Sequence, residues 1–320
     1  MDATELGALW QDAFELWLGS QSSENTRRAY KSAWMDLTSW AGHQIKPWQI
    51  TRTEIVRWSN DMLHRRALSA ETVAQRLAAV SSFFVFAQRV YTYRDADGNE
   101  VALAQRNPTD GAPRPARQMY GKANPLTADQ ARQLLDAIPR DTTLGLRDYA
   151  LILGYLATGR RNSELRQLRW GDLQVDGAKE RVRYRWSGKG KTDQLDEMPV
   201  GVYYAIMDYL RAAKRLRKIR KTHYIFIPVD GDPTHPLTSA AVAYTLKKYA
   251  AAAGMDPAEL HVHSLRHTLA FLLIEEAGAS VDVVSSLLGH SGIQVTQVYL
   301  HRLTGHHTAA QQRVMEALRI

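Results

Sequence analysis

Apolar positions recur at helical spacing through residues 1–90 and then stop. Leu6, Trp10, Phe14 and Trp17 fall three or four apart and predict an amphipathic helix over 1–20, its aromatics serving as core rather than as a cofactor site. Ser23 is placed as an N-cap, with Thr26 three residues on. The helix that follows carries Tyr30, Trp34 and Leu37 on one face and Arg27, Arg28 and Lys31 around it. A third helix is expected from Thr51 or Thr53, with Glu54 in its first turn. A fourth runs over 69–90 through Val73, Leu77, Val80 and Phe84. Four helices with short connections make a small helical domain.

Over 91–123 the pattern breaks. DADGNE is followed by RNPTDGAPRPARQMYGK, and proline resists both helix and sheet, so the stretch is expected to be extended. Arg106, Arg114, Arg117 and Lys122 would let it lie along a phosphate backbone, or simply keep a tether solvated. Periodicity resumes at Pro125. A helix with Thr127 as N-cap stops before Pro139, and others are expected at 144–158 and 162–169. RVRYRW (181–186) alternates and QLDEMPV is a second strand, so SGKGKTD between them makes a β-hairpin with lysines at its tip. Helices at about 201–219, 238–253, 264–277 and 280–288 complete the pattern. A tail helix over 308–319 sets Val314, Met315 and Leu318 on one side. The expected fold is mainly α with a small antiparallel β-sheet: a helical domain over 1–105, a basic linker over 106–123, and a mixed α/β domain over 124–320.

Composition narrows the function classes. In 320 residues, 41 Lys and Arg face 33 Asp and Glu, a net charge of +8. That balance suits a polyanionic partner, nucleic acid being the commonest, though an ordinary basic enzyme fits it equally. The absence of cysteine excludes disulfides and zinc–thiolate sites. The first residues lack the basic n-region of a signal peptide, and the apolar stretch 149–157 is too short to span a bilayer. A soluble, cytoplasmic protein without membrane contact is therefore expected.

Four segments carry candidate chemistry: ATGRRNSELRQLRWGDL (157–173), the hairpin SGKGKTDQLDEMPV (187–200), HVHSLRHTLA (261–270) and LLGHSGIQVTQVYLH (287–301). In order, they resemble the motif set of the tyrosine recombinase, or phage integrase, family. Thr158-Gly159-Arg160-Arg161 with Glu164-Leu165 is similar to its T-G-x-R-x-x-E-L box, and Lys189 in Gly188-Lys189-Gly190 to its hairpin lysine. His263, Leu265, Arg266 and His267 match H-x-x-R-H, and Leu288-Gly289-His290 matches L-G-H. Tyr299 follows nine residues after His290 (299 − 290 = 9). Any one box alone is weak evidence. The resemblance covers about 125–300, while the N-terminal helices match the family's core-binding domain only in character.

The resemblance implies a site-specific recombinase that cleaves and rejoins DNA through a 3′-phosphotyrosine, with no ATP, metal or other cofactor. Two guanidiniums suit the extra charge of a phosphorane, because each is always ionised and forks onto phosphate oxygens. Arg161 and Arg266 are that pair. Tyr299 is the nucleophile, His263 the base, His290 a donor to a phosphate oxygen, and Lys189 the acid that protonates the departing 5′-oxygen. Glu164 and His267 are expected to orient these groups from behind. Lys191 competes with Lys189 for the acid's role and is otherwise a phosphate contact. The hairpin also carries Asp193, Asp196 and Glu197, which lower its positive charge. Arg160 takes the variable slot of its box and is expected to face DNA or solvent.

His261, His263 and His267 could instead be read as a zinc cluster, but Arg266 in their midst is a poor neighbour for a divalent cation. Arg27, Arg28, Lys31, Arg76 and Arg117 are the further candidates for DNA contacts. The expected partners are double-stranded recombination sites, held by a homotetramer whose tail helix docks in trans. The rivals are a type IB topoisomerase, which would relax supercoils without joining new partners, and a non-catalytic DNA-binding protein on the same scaffold. Too little chain precedes the first helices for a further arm-type DNA-binding domain, and a bacterial, phage or mobile-element source is expected.

Overall fold

The computed structural model describes residues 2–42, 45–116, 125–177, 181–187 and 193–289. The chain divides into two compact units, Met1–Met119 and Tyr120–Ile320.

The first unit is built on four helices, α1 (Ala3–Gly19), α2 (Glu24–Ala41), α3 (Arg52–Asn60) and α4 (Ala70–Arg89). Their starts are set by side chains that take the N–H groups a helix leaves unpaired: Asp2 caps α1, Ser23 caps α2 and Ser69 caps α4. The core is aromatic. Trp10, Phe14, Trp17, Trp34, Phe83 and Phe84 are buried together, with Trp34 edge-on to Phe83 at 4.5 Å between ring centres and Trp17 stacked on Tyr30 at 5.1 Å. Burying such a side chain is worth roughly 1.5–3 kcal/mol, so the arrangement amounts to a stable core.

Residues 91–105 are not extended linker. They form a hairpin, β1 (Thr92–Arg94) with β2 (Glu100–Ala102), closed by Asp95, whose side chain accepts from Asp97 and Asn99 N–H. The Asp-rich run is thus turn chemistry within a small sheet. Asn107 and Thr109 are also buried, Asn107 donating to Ser81 Oγ of α4 at 3.1 Å, so the folded unit runs past 105 despite the prolines.

The second unit contains α5 (Ala128–Asp136), α6 (Thr143–Thr158) and α7 (Asn162–Arg166). There follows a three-stranded sheet of β3 (Leu173–Asp176), β4 (Arg181–Ser187) and β5 (Asp193–Met198). Helices α8 (Val200–Ala212), α9 (Ser239–Ala252), α10 (Val262–Glu275) and α11 (Val281–Leu288) complete it. Helix α6 is apolar nearly all round and runs through the core, packed by α8 and α10. The sheet is antiparallel in the order β3-β4-β5, with Tyr184 opposite Asp196 and Trp186 opposite Gln194. Alternation along β4 sends Val182, Tyr184 and Trp186 inward and Arg181, Arg183 and Arg185 outward.

The expected class, mainly α with a small antiparallel sheet, is what is found, and beyond the β1–β2 hairpin the second unit departs from expectation at its sheet and at α8. β3 adds a third strand. Helix α8 stops at Ala212 rather than 219, because Lys214 takes a left-handed φ of 54° and the chain turns back. Arg215 then donates to the carbonyls of Tyr224 at 2.6 Å and Ile225 at 2.8 Å, holding an irregular segment where more helix was expected. Among the described residues no helix is long and apolar enough to cross a membrane.

Candidate active site

Arg161 stands at the N-cap of α7. Its N–H donates to Glu164 Oε2 at 2.8 Å and its Nη1 to Oε1 at 2.9 Å. The Glu164 side chain is 5% exposed and that of Arg161 37%, so a buried carboxylate holds one edge of a guanidinium that otherwise faces outward. An N-terminal carboxylate also complements the partial positive charge of a helix start.

Arg266, one turn into α10, is 2% exposed. Its Nη1 donates to Gly159 O at 2.7 Å and its Nη2 to Leu288 O at 2.5 Å. Gly159 closes α6 with a left-handed φ of 61°, and a Cβ there would stand 2.5 Å from Leu288 Cδ2. Glycine is required twice over, for the turn and for the close approach of α11.

His263 lies one turn before Arg266 on the same face of α10, its ring edge-on to His267 at 4.5 Å. Burial lowers its pKa below the ordinary imidazole value of 6.5, and the positive charges of Arg266 and Arg161 lower it further. Two consequences follow. The imidazole is neutral near neutral pH and free to take a proton. And the two arginines, 105 residues apart in sequence (266 − 161 = 105), act on one neighbourhood.

Helix α11 completes the described part of the site. Its last carbonyls have no partner within the helix. Arg160 takes that of Leu287 and Arg266 that of Leu288, two cations at the negative end of the helix dipole. Gly289 then caps the helix with a φ of 61°. A Cβ on it would meet the Trp186 ring at 3.0 Å, so the L-G-H glycine gives room to the hairpin's tryptophan.

Comparison with known proteins fits this arrangement. Residues 124–306 match the phage integrase family and residues 12–90 the phage integrase N-terminal SAM-like domain. The chain belongs to the phage integrase family, the tyrosine recombinases. A tyrosine recombinase XerC of Xanthomonas campestris pv. campestris is 32% identical over 302 residues, 94% of this chain and 85% of that one. A site-specific recombinase XerH bound to palindromic difH substrate shares the fold, with a TM-score of 0.66 at 16% identity over 92% of this chain and 79% of that one. So does a lambda integrase tetramer bound to a Holliday junction, with a TM-score of 0.64 at 19% identity over 91% and 76%.

Of the expected site residues of this tyrosine recombinase, Arg161, Glu164, His263, Arg266 and His267 are placed on α7 and α10. Lys189, Lys191, His290, Tyr299 and Arg117 lie outside the described residues, as does the tail over 308–319. Arg27, Arg28 and Lys31 are exposed along α2, though Arg27 also donates to Gln21 O at 3.0 Å. Arg76 differs. It sits 2.9 Å from Asp36, whose carboxylate also accepts from Arg66 and the Trp58 indole, so it is engaged in holding α4 to α2.

Arg160 corrects an expectation. It is not turned to DNA or solvent but is 2% exposed, with its guanidinium 4.1 Å from the centre of the Trp186 ring. Asp196, taken from the sequence only as a charge on the hairpin, accepts from the Trp186 indole at 2.7 Å and lies 3.3 Å from Arg160. Alternation in RVRYRW was the available signal that Trp186 points inward. Nothing local marked its partners.

Proposed function

We propose that the chain is a site-specific DNA recombinase that cleaves one strand with Tyr299, holds it as a 3′-phosphotyrosine and passes it to the 5′-hydroxyl of another strand. The bond energy is kept in the phosphotyrosine, so the exchange runs without ATP or metal. The observation that carries this reading is the convergence of Arg161, His263 and Arg266 beside the end of α11, from which the chain continues to His290 and Tyr299. Two guanidiniums at one place meet the charge that builds on the non-bridging oxygens. A neutral His263 among them accepts the tyrosine's proton, because burial and then the neighbouring cations oppose a standing charge on the ring. Glu164 fixes the angle of Arg161, and His267 packs His263 from behind. His290 donates to a phosphate oxygen, Lys189 protonates the departing 5′-oxygen, and Lys191 contacts phosphate.

The helical unit, taken as a core-binding domain that runs past 105 through Thr109, with the residues from there to 123 as a basic tether, supplies backbone contacts. Arg27, Arg28 and Lys31 are its best candidates, with Arg117 on the tether. A tetramer is the assembly this reading takes, as in the lambda integrase tetramer bound to a Holliday junction; four protomers on two duplex sites, with the tail helix docking on a neighbour, are part of the proposal. Cytoplasmic DNA is the substrate this implies.

The test is covalent capture. A nicked duplex traps the intermediate because the strand beyond the nick diffuses away. Wild-type protein, offered a random-sequence pool of such duplexes, should yield an SDS-resistant adduct and Tyr299→Phe none. No adduct with wild type, or an adduct with Tyr299→Phe, refutes the assignment. A topoisomerase would relax a supercoiled plasmid without strand transfer to a second duplex.

A further inference from the structure

Arg160 is buried without full compensation. Its Nη2 donates to Leu287 O and its Nε to Thr158 O at 3.3 Å, while Nη1 has no hydrogen-bond partner among the described residues and lies 3.3 Å from Asp196 Oδ2 as an ion pair. Burying a guanidinium is expensive, and an apolar side chain of similar volume would fill such a position more cheaply. What the arginine adds is connection. Its backbone belongs to the T-G-R-R turn, its plane lies over Trp186 of β4, its Nη1 meets Asp196 of β5, and its Nη2 meets the last turn of α11. Trp186 in turn donates to Asp196 and packs on Gly289. Three separated segments of the site therefore meet on one side chain.

We propose that Arg160 is a positioning residue that pins the β4–β5 hairpin to the C-terminal end of α11, and so sets where the hairpin delivers its proton. The inference rests on the strand-cleavage reading above. Lys189 follows Trp186 by three residues and His290 follows Gly289 directly, so the Arg160–Trp186–Asp196 unit joins the two strands of chain that lead to them. A lysine has no rigid geometry of its own, and proton delivery depends on where its backbone is held.

A 5′-bridging phosphorothiolate separates this role from general stability. Its leaving group is a thiolate, whose conjugate acid has a pKa of about 8.5, far below that of an alcohol, so cleavage no longer needs the acid. The experiment uses the full-length protein and the nicked site recovered by covalent capture, made with oxygen or sulfur at the scissile 5′ position. Arg160→Met keeps the apolar contact with Trp186 and, with the Leu287 carbonyl left unpaired, should melt somewhat below wild type yet stay folded at the assay temperature. It should nevertheless lose on the order of tenfold to a hundredfold in adduct rate on the oxygen substrate, and recover most of that loss on sulfur. Arg160→Lys keeps the charge without the fork and should resemble Arg160→Met. Asp196→Asn, at a partly exposed carboxylate, gives a second route to the same pattern with little risk to folding.

Equal rates of Arg160→Met and wild type, equal losses on both substrates, or full rescue by Arg160→Lys would overturn the clamp. If wild type forms no adduct, the strand-cleavage reading itself falls. If wild type reacts and the Arg160 variants are indifferent, only the clamp does.

Discussion

The two units bury different things. Around the aromatic core of the first, the buried polar residues among those described are Ser59, Asn107 and Thr109, none of them charged. The second unit buries Arg147, Asp148, Arg160 and Arg266. Charges cost free energy to bury unless they are paired and hydrogen-bonded. Arg147 and Asp148 pair with each other at 2.7 Å, while Arg160 and Arg266 each also reach a backbone carbonyl at the end of α11. The first unit is optimised for packing. The second gives up some of that to hold guanidiniums at fixed angles beside α11.

Arg266 is where the contrast between the two units should show most. Arg266→Ala should lower the rate of covalent adduct formation by on the order of 10²–10³, the cost of removing a transition-state donor. It should also reduce unfolding free energy by roughly 1–3 kcal/mol for each of the Gly159 and Leu288 carbonyls left unpaired, measured by denaturant titration. Arg161→Ala should match the rate loss with a smaller loss of stability, since its guanidinium is partly exposed and the buried Glu164 carboxylate keeps the Arg161 N–H. If both variants lose stability equally, the distinction between a buried and an outward-facing arginine has no energetic content.

Leu37→Ala, at a fully buried position in the aromatic core, should cost about 2–5 kcal/mol in the same titration. A loss much below that would mean the first unit is not packed as tightly as its ring contacts indicate. Smaller effects separate the surface arginines. Arg28→Ala should leave stability unchanged and lower the salt dependence of DNA binding by about one phosphate contact, read from the slope of log affinity against log salt. Arg76→Ala should do the reverse, because it is engaged with Asp36.

The smallest effect is in pH. The folded pKa of His263 is depressed, so the folded state binds fewer protons there than the unfolded chain does. Stability should therefore fall as pH drops from the ordinary imidazole value of 6.5 through the lower folded value, and should be indifferent to this group above that window. The acid limb of the cleavage rate should likewise lie below 6.5, with His263 titrating there by NMR. A limb at or above the ordinary value would show that burial and the arginines do not hold the ring's pKa down.

Much of this was legible in the sequence for identifiable reasons. Helix starts at Ser23, Ser69 and Thr127 follow from side chains that cap their own backbone, and the alternation of RVRYRW names the inward face of β4. The end of α8 was not legible, because a left-handed Lys214 is stabilised by contacts of Arg215 ten residues on rather than by any local signal. Nor was the hairpin at 92–102. Its Asp-Gly turn was visible, but its strands are three residues each and are held by packing on α4.

The helices, the inward face of the hairpin and the chemical types at the site follow from the chain's own order, because they depend on periodicity, capping and spacing along it. The sequence could say that Arg160 and Arg161 are adjacent, but not that they point to opposite environments. Only the tertiary structure decided that Arg161 is held at the surface by Glu164 while Arg160 is buried between Trp186, Asp196 and the end of α11. The physical reason is that a guanidinium's environment is set by partners brought from up to 127 residues away, and no local pattern encodes which carbonyl it will meet.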